Sequence, residues 1–171
     1  MSEINVIGLG YIGLPTALML ASHGVSVLGT DCNKEIIDKL LSENITFEEE
    51  GLSELFKDAI LNGIKFSTEY IATDTYILAV PTPYDKFSKK IDPDYVINAI
   101  RSVIKVCYKG ATIIIESTIS PGTIDKYIRP IIEESGFIIG EDINLVHAPE
   151  RIIPGNMIHE LKYNSRTIGA D

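Results

Sequence analysis

Apolar residues come in two rhythms along this chain. Short aliphatic runs predict buried strands at 3–8 (EINVIG), 25–31 (VSVLGTD), 64–67, 75–80 (TYILAV), 111–118 (ATIIIEST) and 143–147 (INLVH), most of them ending at Gly, Asp, Pro or a hydroxyl residue. SRTIGAD, at 165–171, predicts a last short strand. Between the strands, apolar positions recur at helical spacing and predict helices over 11–23, 33–42, 52–63, 92–108 and 122–135. In the second of these, Ile36, Ile37, Leu40 and Leu41 are placed on one face. The punctuation agrees with this division. Gly24, Gly63 and Gly110 follow helices as C-terminal stops, and Asp92-Pro93 opens one. The stretch 83–93 (PYDKFSKKIDP) is polar, carries three Lys and is the segment expected to move. Strand and helix alternate with no repeat or linker, which predicts a single α/β domain over residues 1–171. Its expected fold is a doubly wound parallel sheet of the Rossmann type with helices on both faces.

Composition narrows the partners. With 45% hydrophobic and 23% charged residues the chain is globular, and its 29 Ile suit buried strands. A net charge of −9 leaves no broad basic face for a nucleic acid. Backbone amides can still bind an anion on an acidic protein. Two Cys and no CxxC or His/Cys cluster argue against a disulfide framework and a metal site, and point to a reducing compartment. No apolar run reaches membrane-spanning length, and the N-terminus lacks a basic leader, so the expected location is cytoplasmic, with no membrane partner.

In a doubly wound sheet, ligands bind beyond the carboxyl ends of the strands, so residues just after strands carry the functional signal. Gly8-Leu9-Gly10-Tyr11-Ile12-Gly13 is a GxGxxG between a predicted strand and helix. Gly8 permits the tight turn, Gly10 lets a pyrophosphate approach the backbone, and Gly13 lets helix and strand pack closely. Asp31 ends the next strand, 18 residues after Gly13. A carboxylate there accepts from ribose hydroxyls and repels a 2′-phosphate, which favours NAD over NADP. Three further strand-end motifs follow: Pro81-Thr82-Pro83, Glu116-Ser117-Thr118, and the loop from His147 to Asn156. Thr82 is as readily part of a rigid turn as a ligand contact, and the hydroxyls near 117–123 as readily cap a turn. In the third motif Glu150 is placed to move protons and Arg151 to anchor an anion; an exposed ion pair is the plainer alternative.

Taken in order, GLGYIGLP (8–15), EEEGLSEL (48–55), VPTP (80–83), ESTISPGT (116–123) and APERIIPGN (148–156) resemble the nucleotide-sugar 6-dehydrogenases, the family of UDP-glucose and UDP-N-acetylmannosamine dehydrogenases. VPTP and PERIIPG look more like the N-acetylmannosamine branch. The resemblance implies that Gly8, Gly10, Tyr11, Ile12 and Gly13 line the NAD phosphates and that Asp31 holds the adenosine ribose. It implies that Thr82 and Thr118 contact the cofactor, with Thr118 near the nicotinamide and a catalytic water. By the same resemblance Glu150 lies at the reacting centre, and Arg151 and Ile152 touch a UDP-sugar. Members often carry Arg five residues after the ribose aspartate; here Ile36 stands there, with Lys34 the nearest cation to replace it.

The family oxidises a sugar CH2OH to a carboxylate in two NAD-dependent steps, through a thiolate. Its catalytic Cys lies beyond the region matched, as do the helical middle segment, through which members dimerise, and the UDP-binding segment. Cys32 is at the adenosine end, and Cys107, late in a predicted helix, reads as partly buried. The expectation is therefore an NAD-binding domain, inert alone. A non-catalytic nucleotide-binding module and another Rossmann dehydrogenase are the competing readings.

Overall fold

The structure, a computed structural model, describes residues 3–87 and 89–171. What the sequence suggested about the first two residues and Ser88 lies outside the described residues. Seven strands form one sheet: β1 (Glu3–Ile7), β2 (Ser26–Thr30), β3 (Lys65–Ser67), β4 (Thr75–Leu78), β7 (Ala111–Ile115), β8 (Ile143–His147) and β9 (Gly169–Ala170). Their order is β3-β2-β1-β4-β7-β8-β9. All neighbouring pairs are parallel except β8–β9, which runs antiparallel. The order reverses between β1 and β4, which pair from Ile4↔Thr75 to Ile7↔Leu78. This is the expected doubly wound sheet, with its switch point above β1 and β4.

The two-residue period of a strand divides the core into two layers. Val6 packs on one side with α1 (Gly13–Ser22), α2 (Lys34–Leu41) and α3 (Leu52–Leu61), against Leu14, Leu18, Leu40 and Phe56. Ile7 packs on the other side with α4 (Asp94–Ile104) and α5 (Arg129–Glu134), among Tyr76, Ile100, Ile113 and Ile132. Within α2 only Ile37 and Leu40 are buried. Leu41 faces solvent and Ile36 turns toward the strand-end cleft, so the four residues do not share one buried face.

Helix ends follow local chemistry. The Asn33 side chain accepts from the Glu35 amide to cap α2. The Asp92 carboxylate accepts from the Asp94 amide and starts α4. That helix stops at Ile104 rather than Tyr108, and the chain turns with the Cys107 amide still donating to Val103. Cys107 therefore sits half-buried outside the helix.

Three features depart from the periodic reading. The helix expected over 122–135 begins as a π turn, Ile124–Ile128, before α5. Pro130 lies inside it, donates no amide, and its ring excludes the carbonyl four residues back; the wider π register relieves that conflict. The 83–93 segment carries a small antiparallel hairpin, β5 (Tyr84–Asp85) with β6 (Lys90–Ile91). A short helix, α6 (Met157–Tyr163), follows β8 where the sequence predicted none. Among the described residues no helix is long and apolar enough to cross a membrane.

Tyr76 is fully buried in β4, and its hydroxyl accepts from the Thr73 amide while donating to the Ile71 carbonyl. Tyr76→Phe leaves a buried amide without a partner, and urea unfolding is expected to show a loss of about 1–3 kcal/mol. An unchanged midpoint would contradict this role.

Candidate functional site

The carboxyl ends of five strands converge on one cleft of about 860 Å³. Gly8 comes from β1, Asp31 from β2, Thr82 from β4, Thr118 from β7 and Glu150 from β8. A second hollow, about 1220 Å³, lies beside the 43–61 segment over Phe47, Phe56 and Ile60 and reaches Gly155, but none of these five residues lines it. We assign the ligand site to the smaller cleft, because it sits at the switch point and gathers polar groups from separate elements.

The first half of the cleft is built from the glycine loop. Gly8 has φ +89°, and a β-carbon there would come within 2.8 Å of the Ala79 carbonyl oxygen. A β-carbon at Gly13 would lie 1.8 Å from the Gly8 oxygen. These two glycines are demanded by the fold. Gly10 is different: a β-carbon there would meet no atom within 4 Å. The first amide of α1 to bond back is Leu14, to Gly10, and no acceptor among the described residues takes the amides of Gly10, Tyr11 or Ile12. They form a free row of donors at a helix start, suited to a diphosphate. Pro15 sits in the first turn, where its missing N–H costs nothing.

Asp31 is half-buried at the end of β2. One carboxylate oxygen accepts from the Leu9 amide at 2.8 Å and the other from the Asn33 amide at 2.8 Å. The carboxylate is thus fixed to the glycine loop itself, with lone pairs left over for two hydroxyls. Ile36 and Tyr70 line this end of the cleft. Lys34 does not take the place of the missing Arg: it pairs with Asp38 one turn along α2, and does not line the cleft. Cys32 is exposed at this end.

At the opposite end, the Ser117 hydroxyl donates to the Val80 carbonyl at 2.7 Å and ties the loop after β7 to the one after β4. This leaves Thr118 exposed on the cleft and Thr82 half-buried across from it. Glu116 and Glu150 are 2% and 8% exposed. Glu150 accepts from the amides of Arg151 at 2.7 Å and Ile152 at 3.1 Å through one oxygen. Its other oxygen lies against the Arg166 guanidinium, close but without the alignment of a hydrogen bond. Arg166 also donates to Glu116 at 2.7 Å, and the Thr16 hydroxyl of α1 donates to the same carboxylate. Burial pushes the Glu116 carboxyl above its ordinary range; Arg166 and Thr16 pull it down, and Glu150 adds to the rise. Arg151 is exposed, with its guanidinium on the Ser165 carbonyl at 2.6 Å, and the Ile152 side chain is buried.

Sequence reasoning missed Arg166, Thr16 and Glu49. Glu49 lies in the loop before α3, accepts from the Tyr11 hydroxyl at 2.7 Å, and also takes the Gly155 amide at 2.9 Å. It thereby joins the glycine loop to the loop that carries Glu150. The Tyr11 ring packs on Phe47, with centroids 5.0 Å apart. Partial burial and Glu49 push the Tyr11 phenol up to about 12. The Tyr11 hydroxyl, with the Gly155 and Met157 amides, holds Glu49 below its ordinary range, against burial. A signal for Glu49 stood in EEEGLSEL; for Arg166 there was none, because its partners are 50 and 16 residues away.

Residues 2–171 match the family model described as the UDP-glucose/GDP-mannose dehydrogenase family, NAD binding domain. The chain belongs to this family. Among curated relatives, it is 40% identical over 173 residues to the UDP-N-acetyl-D-mannosamine dehydrogenase of Methanococcus vannielii, covering 99% of this chain and 39% of that one. The corresponding Escherichia coli K12 protein is 38% identical over 176 residues, covering 98% and 42%. The chain thus spans about two-fifths of the length of the curated relatives it matches. The solved UDP-N-acetyl-mannosamine dehydrogenase Cap5O of Staphylococcus aureus superposes with a TM-score of 0.95 at 49% identity, over 99% of this chain and 42% of that one. The GDP-mannose dehydrogenase of Pseudomonas aeruginosa, a ternary complex, gives 0.88 at 26% identity, over 97% and 40%. NAD is the cofactor of this domain family. The open Gly10, the free amides and the anchored Asp31 fit such a dinucleotide.

The two kinds of glycine separate fold from binding. Gly13→Ala is expected to unfold the chain or strongly lower its melting temperature, whereas Gly10→Ala keeps the native melting temperature and loses NAD affinity. Equal melting losses in both variants would contradict the assignment. Glu49 also makes stability depend on pH. Its folded carboxyl titrates below the unfolded value of about 4.3. The stability it contributes is present above that value and is lost as pH falls through the folded one. Urea unfolding should show the advantage of the native chain over Glu49→Gln disappearing across that acid window. Tyrosinate absorbance should show Tyr11 titrating lower in the variant. An advantage that stays constant into strong acid would refute the Glu49 account.

Proposed function

We propose that this chain is the NAD-binding part of a UDP-N-acetylmannosamine-type 6-dehydrogenase, which oxidises a sugar CH2OH to a carboxylate in two hydride-transfer steps. The observation that carries the reading is the arrival of Glu150 and Thr118 in the same cleft as Gly10 and Asp31. A pure nucleotide-binding module has no use for a buried carboxylate at the far end of its cleft. The relatives' names support the choice of sugar.

In this reading the amides of Gly10, Tyr11 and Ile12 hold the diphosphate, Gly8 and Gly13 shape the turn that presents them, and Asp31 accepts from the ribose hydroxyls. NAD, when bound, supplies the hydride acceptor. Thr82 and Thr118, which follow β4 and β7 and line the cleft, would contact it. Thr118 also holds a water, and Glu150 takes or returns the proton at the reacting oxygen. Arg151 and Ile152, next to Glu150, meet the UDP-sugar. The Arg151 guanidinium is engaged with Ser165, so anchoring an anion requires it to leave or share that carbonyl.

The aldehyde stage needs a thiolate to form a thiohemiacetal, which loses hydride to give a thioester that water cleaves. Cys32 stands at the wrong end of the cleft, and burial pushes the Cys107 thiol up. The nucleophile is therefore assigned to a part of the longer relatives that this chain does not match, and the chain alone binds cofactor without turnover. Its two cysteines are unpaired, which supports a reducing, cytoplasmic setting.

Calorimetric titration is expected to show NAD binding more tightly than NADP, with Asp31→Ala weakening NAD and narrowing the gap. Tighter NADP binding by the native chain would sink the cofactor assignment. In the whole enzyme, Glu150→Gln is expected to lower kcat by about a hundred- to ten-thousand-fold with NAD affinity nearly unchanged. Unchanged turnover would remove Glu150 from the reacting centre.

A further inference from the structure

Two buried carboxylates share one cation behind the cleft. Glu116 follows β7 and Glu150 follows β8, and the Glu150 amide donates to the Glu116 carbonyl at 3.2 Å, so the two side chains leave neighbouring points of the sheet edge. Arg166 arrives from the segment between α6 and β9 with 30% of its side chain exposed. One guanidinium nitrogen is 2.7 Å from Glu116 and the other lies against Glu150. Both glutamates line the cleft, and Arg166 reaches them without lining it.

The electrostatics make the arrangement consequential. Like charges in one desolvated site oppose each other, and without compensation one carboxyl keeps its proton. The groups facing Glu150 are Arg166, Glu116 and the amides of Arg151 and Ile152; Thr16 faces Glu116 from α1. Among these Arg166 is the one positive charge. A planar guanidinium with two forks can serve two carboxylates at once, which an ammonium does poorly.

We propose that Arg166 is a positioning residue: by bridging Glu116 and Glu150 it supplies the positive charge that lets the two buried carboxylates stand side by side at the cleft. The inference deepens the reading of Glu150 as the proton-moving group and rests on it. Without Arg166 the two buried carboxylates would stand side by side with no compensating charge, and the pair would take up a proton more readily.

Carboxyl-carbon NMR of the isotope-labelled chain tests this, with Glu150→Gln assigning the signal. Arg166→Gln is expected to raise the Glu150 titration midpoint by about one pH unit or more, a tenfold gain in proton affinity. Arg166→Lys, which keeps the charge but loses the second fork, is expected to give a smaller rise. A Glu150 midpoint equal to the native one in both variants would overturn the proposal. If amide spectra show that Arg166→Gln does not fold, the Lys variant decides alone: a raised midpoint supports the bridge and an unchanged one refutes it. The readout needs no turnover. A shifted midpoint combined with normal kcat for Glu150→Gln would therefore overturn the reading of Glu150 as proton carrier while leaving the Arg166 bridge standing.

Discussion

Between Gly8 and Gly13 there is no room for a β-carbon, and the rest of the site follows from that closeness. The turn after β1 runs directly under the start of α1 and beside Ala79 at the end of β4. Strand, turn and helix lock together, and the free amides of the helix start are held at the switch point of the sheet rather than swinging with a loop. Asp31 completes the frame through its bond to the Leu9 amide. The carboxylate at the end of β2 is thus also a strut for the glycine loop.

The other end of the cleft is held by charge instead of close backbone packing. Glu116 and Glu150 are buried there with Arg166 between them, and Thr16 reaches across from α1 to Glu116. Burying two carboxylates is costly. The Arg166 guanidinium, the Thr16 hydroxyl and the amides of Arg151 and Ile152 offset part of that cost. Glu49 adds a mechanical connection. It bonds Tyr11 of the glycine loop and Gly155 of the loop after Glu150, so the two loops are tied to each other as well as to the sheet.

The strands and the dinucleotide half were legible in the sequence because their signals are local. The strands ending at Gly8, Asp31, Ser67, Pro81 and Glu116-Ser117 are apolar runs closed by a distinctive residue, and GxGxxG with Asp31 is a spacing rule. Less was legible where long-range contacts decide. The two-residue strands of the hairpin are below what periodicity can register, and α6 spans only Met157–Tyr163. The π turn follows from one Pro within an otherwise ordinary helical pattern. Lys34 was the nearest cation to the ribose aspartate in sequence, yet helix geometry hands it to Asp38. Arg166 looked like the start of an edge strand, and only the folded sheet brings it to two glutamates. Arg151 shows the converse, since its prominent place next to Glu150 ends with its guanidinium on a backbone carbonyl.

The central claim is that the strand-end cleft is where the dinucleotide binds. Amide chemical-shift mapping of the nitrogen-labelled chain during NADH addition tests it most directly. The account predicts saturable shifts at Gly10, Tyr11 and Ile12, at Asn33 beside Asp31, and at Thr82 and Thr118. Shifts confined to the hollow beside residues 43–61, with the glycine-loop amides unmoved, would contradict it.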